Sequence, residues 1–257
     1  MRLVSLSTPF SIPLFFVGPP LSEGTLPAFF YFSLSGEESL TLPPYNSPIH
    51  LFQEDKIRIF SLTIPFHGPG FDKFKAMEGW AQTAFAGTDF LSPFLDETTL
   101  IIHWLIDEGI IDKNHLAMGG LSRGAFIATH LAAREKNVKI LLGFAPLTTL
   151  TTIKEFQEKN SPAFLKKMEY FDLSKLNDNI LHLKHFRFYI GNHDERVSTD
   201  ACYFFVRELA NLAHQKNLRR LSIELRITPS IGFQGHGTSK ETFEEGALWA
   251  RDLLRVL

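Results

Sequence analysis

Five stretches of the 257-residue chain are apolar almost without interruption: 28–34, 57–64, 115–119, 138–145 and 186–191. A strand with one face in water alternates apolar and polar residues, whereas a strand covered on both faces does not. These runs therefore predict a mostly parallel sheet with helices packed on both faces, an α/β architecture. The segments between them carry the helical pattern. Helices are expected over 47–55, 93–108, 123–135, Thr199–Gln215 and 239–254, with a broken helical region over 71–86. Thr238 and Glu241 form a capping-box pattern at the start of the last of these. A further strand is expected at 221–227, and residues 3–7 and 12–17 read as an opening β-hairpin. Pro9 and Pro13 break the apolar run there, and no small-residue cleavage site follows, so a signal peptide is the weaker reading. With no internal repeat and no dividing linker, one domain is expected over residues 1–257, with a helical insertion at 147–183.

Charge narrows the partners. Lys and Arg total 26 against 28 Asp and Glu, a net of -2, with no basic stripe and no acidic tail. A dedicated nucleic-acid or anionic-membrane binder would carry one or the other. No run approaches the 18 or so apolar residues of a membrane span. The single cysteine, Cys202, has no intramolecular partner, which favours a reducing, cytoplasmic setting. Cys202 reads as a packed helix residue, and no clustered ligand set predicts a metal or cofactor.

A parallel sheet presents its functional groups on the loops after its strands. Gly120-Leu121-Ser122-Arg123-Gly124 lies between a predicted strand and a predicted helix. A serine on so sharp a strand-to-helix turn is lifted above the sheet, provided its neighbours are small, and Gly119, Gly120, Gly124 and Ala125 are. A serine hydroxyl needs an adjacent base to act as a nucleophile. Among the 10 histidines, His236 in Gln234-Gly235-His236-Gly237 stands after the last strand and before the last helix. The imidazole in turn needs a carboxylate to fix its tautomer. Asp194, in Gly191-Asn192-His193-Asp194-Glu195-Arg196-Val197, follows a strongly apolar strand; Glu195 and Asp200 are its rivals.

With these three motifs the chain resembles the α/β-hydrolases, particularly the single-domain dienelactone-hydrolase and prolyl-oligopeptidase-like serine hydrolases. The order Ser122, Asp194, His236 is that of the superfamily triad. The resemblance runs from about residue 25 to the end and implies the α/β-hydrolase fold with a small helical cap. It implies Ser122 as nucleophile, His236 as general base and then acid, and Asp194 as the orienting carboxylate. An oxyanion hole would use the backbone N–H of Arg123 and a second donor from an earlier loop. Two loops compete for that second place. His67-Gly68-Pro69-Gly70 looks like an esterase oxyanion motif, but Pro69 lacks an N–H. Counting elements favours Leu34-Ser35-Gly36-Glu37, hence Ser35 or Gly36, although the family's usual His-Gly is missing there.

The implied reaction is hydrolysis of a small-molecule ester, amide or thioester through an acyl-enzyme. Non-catalytic ligand binding on the same fold, acyl transfer and peptidase action are the alternatives. The substrate residues expected are Phe66, His67, Phe156, Phe164 and Phe233, the last three from the insert and from beside His236. They belong to a surplus of 25 Phe, nearly one residue in ten, which suits an apolar or aromatic acyl group. The Arg123 side chain reads by default as surface charge, with contact to an anionic substrate group as the alternative.

Overall fold

The computed structural model describes residues 2–52, 55–159 and 161–257. Its eight strands are β1 (Val4–Leu6), β2 (Leu14–Val17), β3 (Leu26–Phe32), β4 (Arg58–Leu62), β5 (Ile111–Leu121), β6 (Val138–Phe144), β7 (His185–Gly191) and β8 (Ser222–Thr228). They form one sheet in the order β1-β2-β4-β3-β5-β6-β7-β8. The opening hairpin β1-β2 pairs antiparallel onto β4, and every pairing from β4 to β8 is parallel. The helices are α1 (Gly36–Thr41), α2 (Ala76–Phe85), α3 (Ser92–Asp107), α4 (Arg123–Arg134), α5 (Lys154–Gln157), α6 (Pro162–Met168), α7 (Thr199–Gln215) and α8 (Lys240–Leu254).

The apolar runs follow from the two-sided cover. Alternate side chains of β3 point to opposite faces. Phe30 and Phe32 join one core with Trp80, Phe94, Phe126 and Phe205 from α2, α3, α4 and α7. Phe29 and Tyr31 join the other, with Phe52, Phe243 and Ala250 from the 47–52 turn and α8. Phe16, Phe60 and Phe30 stack across three neighbouring strands at ring distances of 5.5 and 5.2 Å. Burying each such ring contributes about 2–3 kcal/mol.

Four local expectations shift. Residues 34–40 are not an open loop: α1 begins at Gly36, because Ser35 caps it by accepting from the Glu38 N–H at 3.1 Å. The helix expected over 47–55 is a 3₁₀ helix, Ser47–Phe52, and positions 53–54 lie outside the described residues. The cap of α8 is Ser239 rather than Thr238, its hydroxyl accepting from the Thr242 N–H at 3.2 Å. Within the insertion, Leu150, Ile153, Phe156, Met168, Leu173 and Ile180 are part of the first core. That segment packs on α2, α4 and α7 as a flank of the molecule.

Candidate active site

The end of β5 turns into α4 through Ser122, which adopts φ 55°, ψ -119°. Such a conformation is costly for a non-glycine residue and persists only where surrounding bonds impose it. They do here: the Ser122 N–H donates to the Phe144 carbonyl at 2.8 Å, and its carbonyl accepts from Ala125, Phe126 and Leu147. The turn also requires its glycines. A Cβ on Gly120 would stand 2.3 Å from the Gly124 backbone, and one on Gly124 would stand 1.9 Å from the Phe32 carbonyl oxygen. The elbow is thereby pressed against the Phe32–Ser33 peptide.

The carboxylate and the imidazole come from the loops after β7 and β8. Asp194 is 3% exposed. Its Oδ1 accepts from the N–H groups of Arg196 and Val197, both at 3.0 Å, and Oδ2 faces His236 Nδ1 at 2.8 Å. His236 Nε2 lies 2.9 Å from Ser122 Oγ. The structure thus brings together the three residues expected from the sequence. Of the two rival acids, Glu195 pairs with His193 on the surface and Asp200 sits in the first turn of α7. Three bonds staple the two loops to each other, and a fourth ties the first loop to the end of β8. His193 N–H donates to Ser230 Oγ (2.6 Å), Ser230 N–H to Asn192 Oδ1 (3.0 Å), Glu195 N–H to the Gln234 carbonyl (2.9 Å), and Asn192 N–H to the Thr228 carbonyl (2.8 Å). Gly235, at φ 70°, permits this approach, since a Cβ there would meet the His193 oxygen at 2.0 Å. Asn192 and Ser230 were not singled out from the sequence, where a lone loop serine or asparagine carries no signal.

Ser122 and His236 open into a cavity of about 350 Å³, walled by Ser33, Leu34, Pro44, Tyr45, Leu121, Arg123, Ile231 and Phe243. The donors around it are unevenly occupied. Gly36 N–H is tied to Thr63 Oγ1 at 3.0 Å, and Ser35 lines a neighbouring cavity instead. The expectation of Ser35 or Gly36 is therefore corrected: α1 starts so early that the loop meets the site through Ser33 and Leu34. Their N–H groups both point at Ser39 Oγ, at 3.1 and 2.9 Å. Among the cavity's residues, two donors beside the elbow have no acceptor among the described residues. One is the Arg123 N–H, at the start of α4 where backbone donors lack helical acceptors. The other is the Ser33 hydroxyl, buried and without a hydrogen-bond partner among the described residues.

None of the five expected substrate residues walls this cavity. Phe156 is fully buried and stacks on Phe164 at 6.1 Å, so both are core. Phe233 is 83% exposed. Phe66, at φ 65°, lies edge-on to Phe71. His67 lines the neighbouring cavity of about 530 Å³, with Nδ1 on the Pro65 carbonyl. Burial, with Arg123 nearby, pushes His67 down to about 4, so its ring is neutral. Apolar composition predicts that a phenylalanine is buried, not which surface it is buried against. Cys202 is packed inside α7, where burial and the Asp194 charge push its thiol pKa up. That is the reverse of what a reactive thiol needs.

No protein-family model matches the chain, and no curated protein matches it in sequence. Solved structures do match in shape. The structure of TT1662 from Thermus thermophilus is similar at TM-score 0.69 and 16% identity, over 100% of both chains. Acetyl xylan esterase 1 from Thermoanaerobacterium sp. is similar at TM-score 0.67 and 12% identity, over 98% of this chain and 88% of that one. An acylaminoacyl peptidase from Pyrococcus horikoshii is similar at TM-score 0.65 and 14% identity; this chain spans only 41% of its length. With its sheet order and its strand-to-helix elbow, the chain has the α/β-hydrolase fold. Among the described residues, no helix is long and apolar enough to cross a membrane.

Proposed function

We propose that the chain is a serine hydrolase that cleaves a small-molecule carboxylic ester through an acyl-enzyme. The observation that carries this is the continuous relay from Ser122 Oγ to His236 Nε2 at 2.9 Å and from His236 Nδ1 to Asp194 Oδ2 at 2.8 Å. Two protein-wide features add support. The nucleophile's strained backbone is held by surrounding bonds, and the fold is shared with an esterase over 88% of that enzyme's length.

In this reading His236 Nε2 takes the Ser122 proton as Oγ attacks the carbonyl carbon. Asp194, unable to leave its two backbone N–H partners, holds Nδ1–H and stabilises the imidazolium. The oxyanion is met by the Arg123 N–H and by the Ser33 hydroxyl, two donors with no acceptor among the described residues. Collapse expels the alcohol, which receives the proton from His236. Water, deprotonated by the same imidazole, then attacks the acyl carbon, and release of the acid returns the proton to Ser122. Leu34, Leu121, Ile231 and Phe243 offer an apolar wall for a short acyl chain.

A fluorophosphonate probe tests the nucleophile. Wild type is expected to label covalently and to hydrolyse 4-nitrophenyl esters, and Ser122→Ala to do neither. Equal labelling of Ser122→Ala, or none of wild type, refutes the assignment. Loss of ester turnover in His236→Ala separates catalysis from mere ligand binding on this fold.

A further inference from the structure

The arginine beside the nucleophile differs from the other enclosed arginines. Arg58, fully buried, donates to the carbonyls of Pro19, Pro20, Gly24 and Ile110. Arg187 pairs with Glu224, and Arg196 pairs with both oxygens of Glu155 at 2.7 and 2.8 Å. Arg123, half-buried on the wall of the Ser122 cavity, has no carboxylate within ion-pair distance among the described residues. Among the described residues its guanidinium makes one long bond, Nη2 to the Lys73 carbonyl at 3.3 Å.

The surroundings do not neutralise it. Burial first, and then the like charge of Arg196, push Arg123 down to about 10, so it still carries its proton near neutral pH. Tyr45 and Glu155 favour its charged form only from beyond ion-pair distance, both Glu155 oxygens being held by Arg196, and the Glu38 charge is matched by Lys73 at 2.7 Å. His67, on the same side, is neutral. An enclosed cation without a partner is costly, and that cost is offset when an anion arrives. A guanidinium presents parallel donors that match a carboxylate.

We propose that the Arg123 side chain is an anion subsite, and that the substrate is an ester whose acyl part carries a carboxylate a few bonds from the scissile carbonyl. The proposal rests on the Ser122 reading and names the substrate class for that site. The apolar wall takes the methylene chain and Arg123 takes the terminal carboxylate. A monoester of a short dicarboxylic acid has this shape.

Two measurements test it on the full chain. The first compares kcat/KM for the 4-nitrophenyl monoester of glutaric acid with that for 4-nitrophenyl valerate, its uncharged counterpart. Wild type should favour the charged ester about 10- to 100-fold, mainly through KM, as a charge-assisted pair would give. Arg123→Gln should bring the ratio close to one, and Arg123→Lys should leave an intermediate value. The second measures calorimetric binding of free glutarate to Ser122→Ala, where no turnover occurs. Arg123→Gln in that background should weaken binding by about tenfold or more. A wild-type ratio near one, or glutarate binding indifferent to Arg123→Gln, overturns the subsite. An Arg123→Gln protein that melts earlier but keeps the preference shows a structural strut and overturns it too. Fluorophosphonate labelling of Ser122 does not require the anion, so lost labelling speaks against the nucleophile and a flat ratio against the subsite.

Discussion

Replacing Ser33 by alanine should move stability and catalysis in opposite directions. Ser33 is 3% exposed, and its hydroxyl is buried and without a hydrogen-bond partner among the described residues. An unsatisfied buried hydroxyl costs about 1–3 kcal/mol. Ser33→Ala removes that cost and leaves a space no larger than one oxygen atom. The resting protein should therefore be as stable as wild type or more so, by about 1 kcal/mol, a rise of about 2–4 °C in Tm for a chain of this size. The transition state loses a donor instead. Removing one donor to an oxyanion lowers kcat by about 10²–10³-fold, about 2.7–4 kcal/mol. KM should change little, because the ground-state carbonyl oxygen demands less of that donor. The assay is steady-state hydrolysis of 4-nitrophenyl valerate, paired with a calorimetric melt of each variant. Ser33→Thr keeps the hydroxyl and should retain much more of the rate than Ser33→Ala. A Ser33→Ala enzyme with kcat within about threefold of wild type would show that a backbone N–H of this loop serves instead. The Leu34 N–H would then have to leave Ser39 Oγ.

Three further outcomes are expected. Asp194→Asn keeps an acceptor for the Arg196 and Val197 N–H groups but misdirects the imidazole, so kcat should fall about 10³–10⁴-fold while the melt stays near wild type. Phe156→Ala should destabilise the protein by about 3–5 kcal/mol and leave kcat/KM for a short neutral ester within about threefold of wild type; a large kinetic effect without destabilisation would restore Phe156 to the pocket wall. Asp172, raised to about 7 by burial and by the Glu169 charge, ionises in the unfolded chain first. The stability this group contributes is full below about pH 4, falls as pH rises toward 7, and is level above. Asp172→Asn should therefore match wild type near pH 4 and exceed it by on the order of 2 kcal/mol at pH 8. Calorimetric melts across that range check the crossing, and a gain largest in acid would contradict it.

The meeting of Ser122, Asp194 and His236 was legible because each feature is local. A serine between small residues at a strand-to-helix junction, and an acid and a histidine in loops after apolar strands, need only chain order to be assembled. The sheet was legible for a similar reason, since β3, β4, β6 and β7 lack polar alternation. The state of the loop after β3 was not. Whether its N–H groups are open depends on Ser39 and Thr63, which reach it through the fold, and on Ser35 starting α1 two residues after Ser33. The pocket wall was misread for a different reason. Phe156 and Phe164 carry the same apolar signal whether they face a ligand or α2, and only tertiary packing separates the two. Arg123 is the opposite case: its half-buried position depends on the surrounding fold, and a charged side chain in sequence does not show it.

The stapling of the Asp194 and His236 loops bears on how such a site is altered. The two segments are far apart in the chain, yet their crossing bonds leave neither free to be remodelled alone. A graft that exchanges only residues 229–238 discards the Ser230 hydroxyl and strands the His193 N–H, shifting the acid as well as the base. The elbow, by contrast, is braced against β3 and β6. For an engineer the proposed site therefore separates into two parts that meet at the Ser122–His236 contact, an elbow block and a two-loop block, and the second has to be transplanted as a pair.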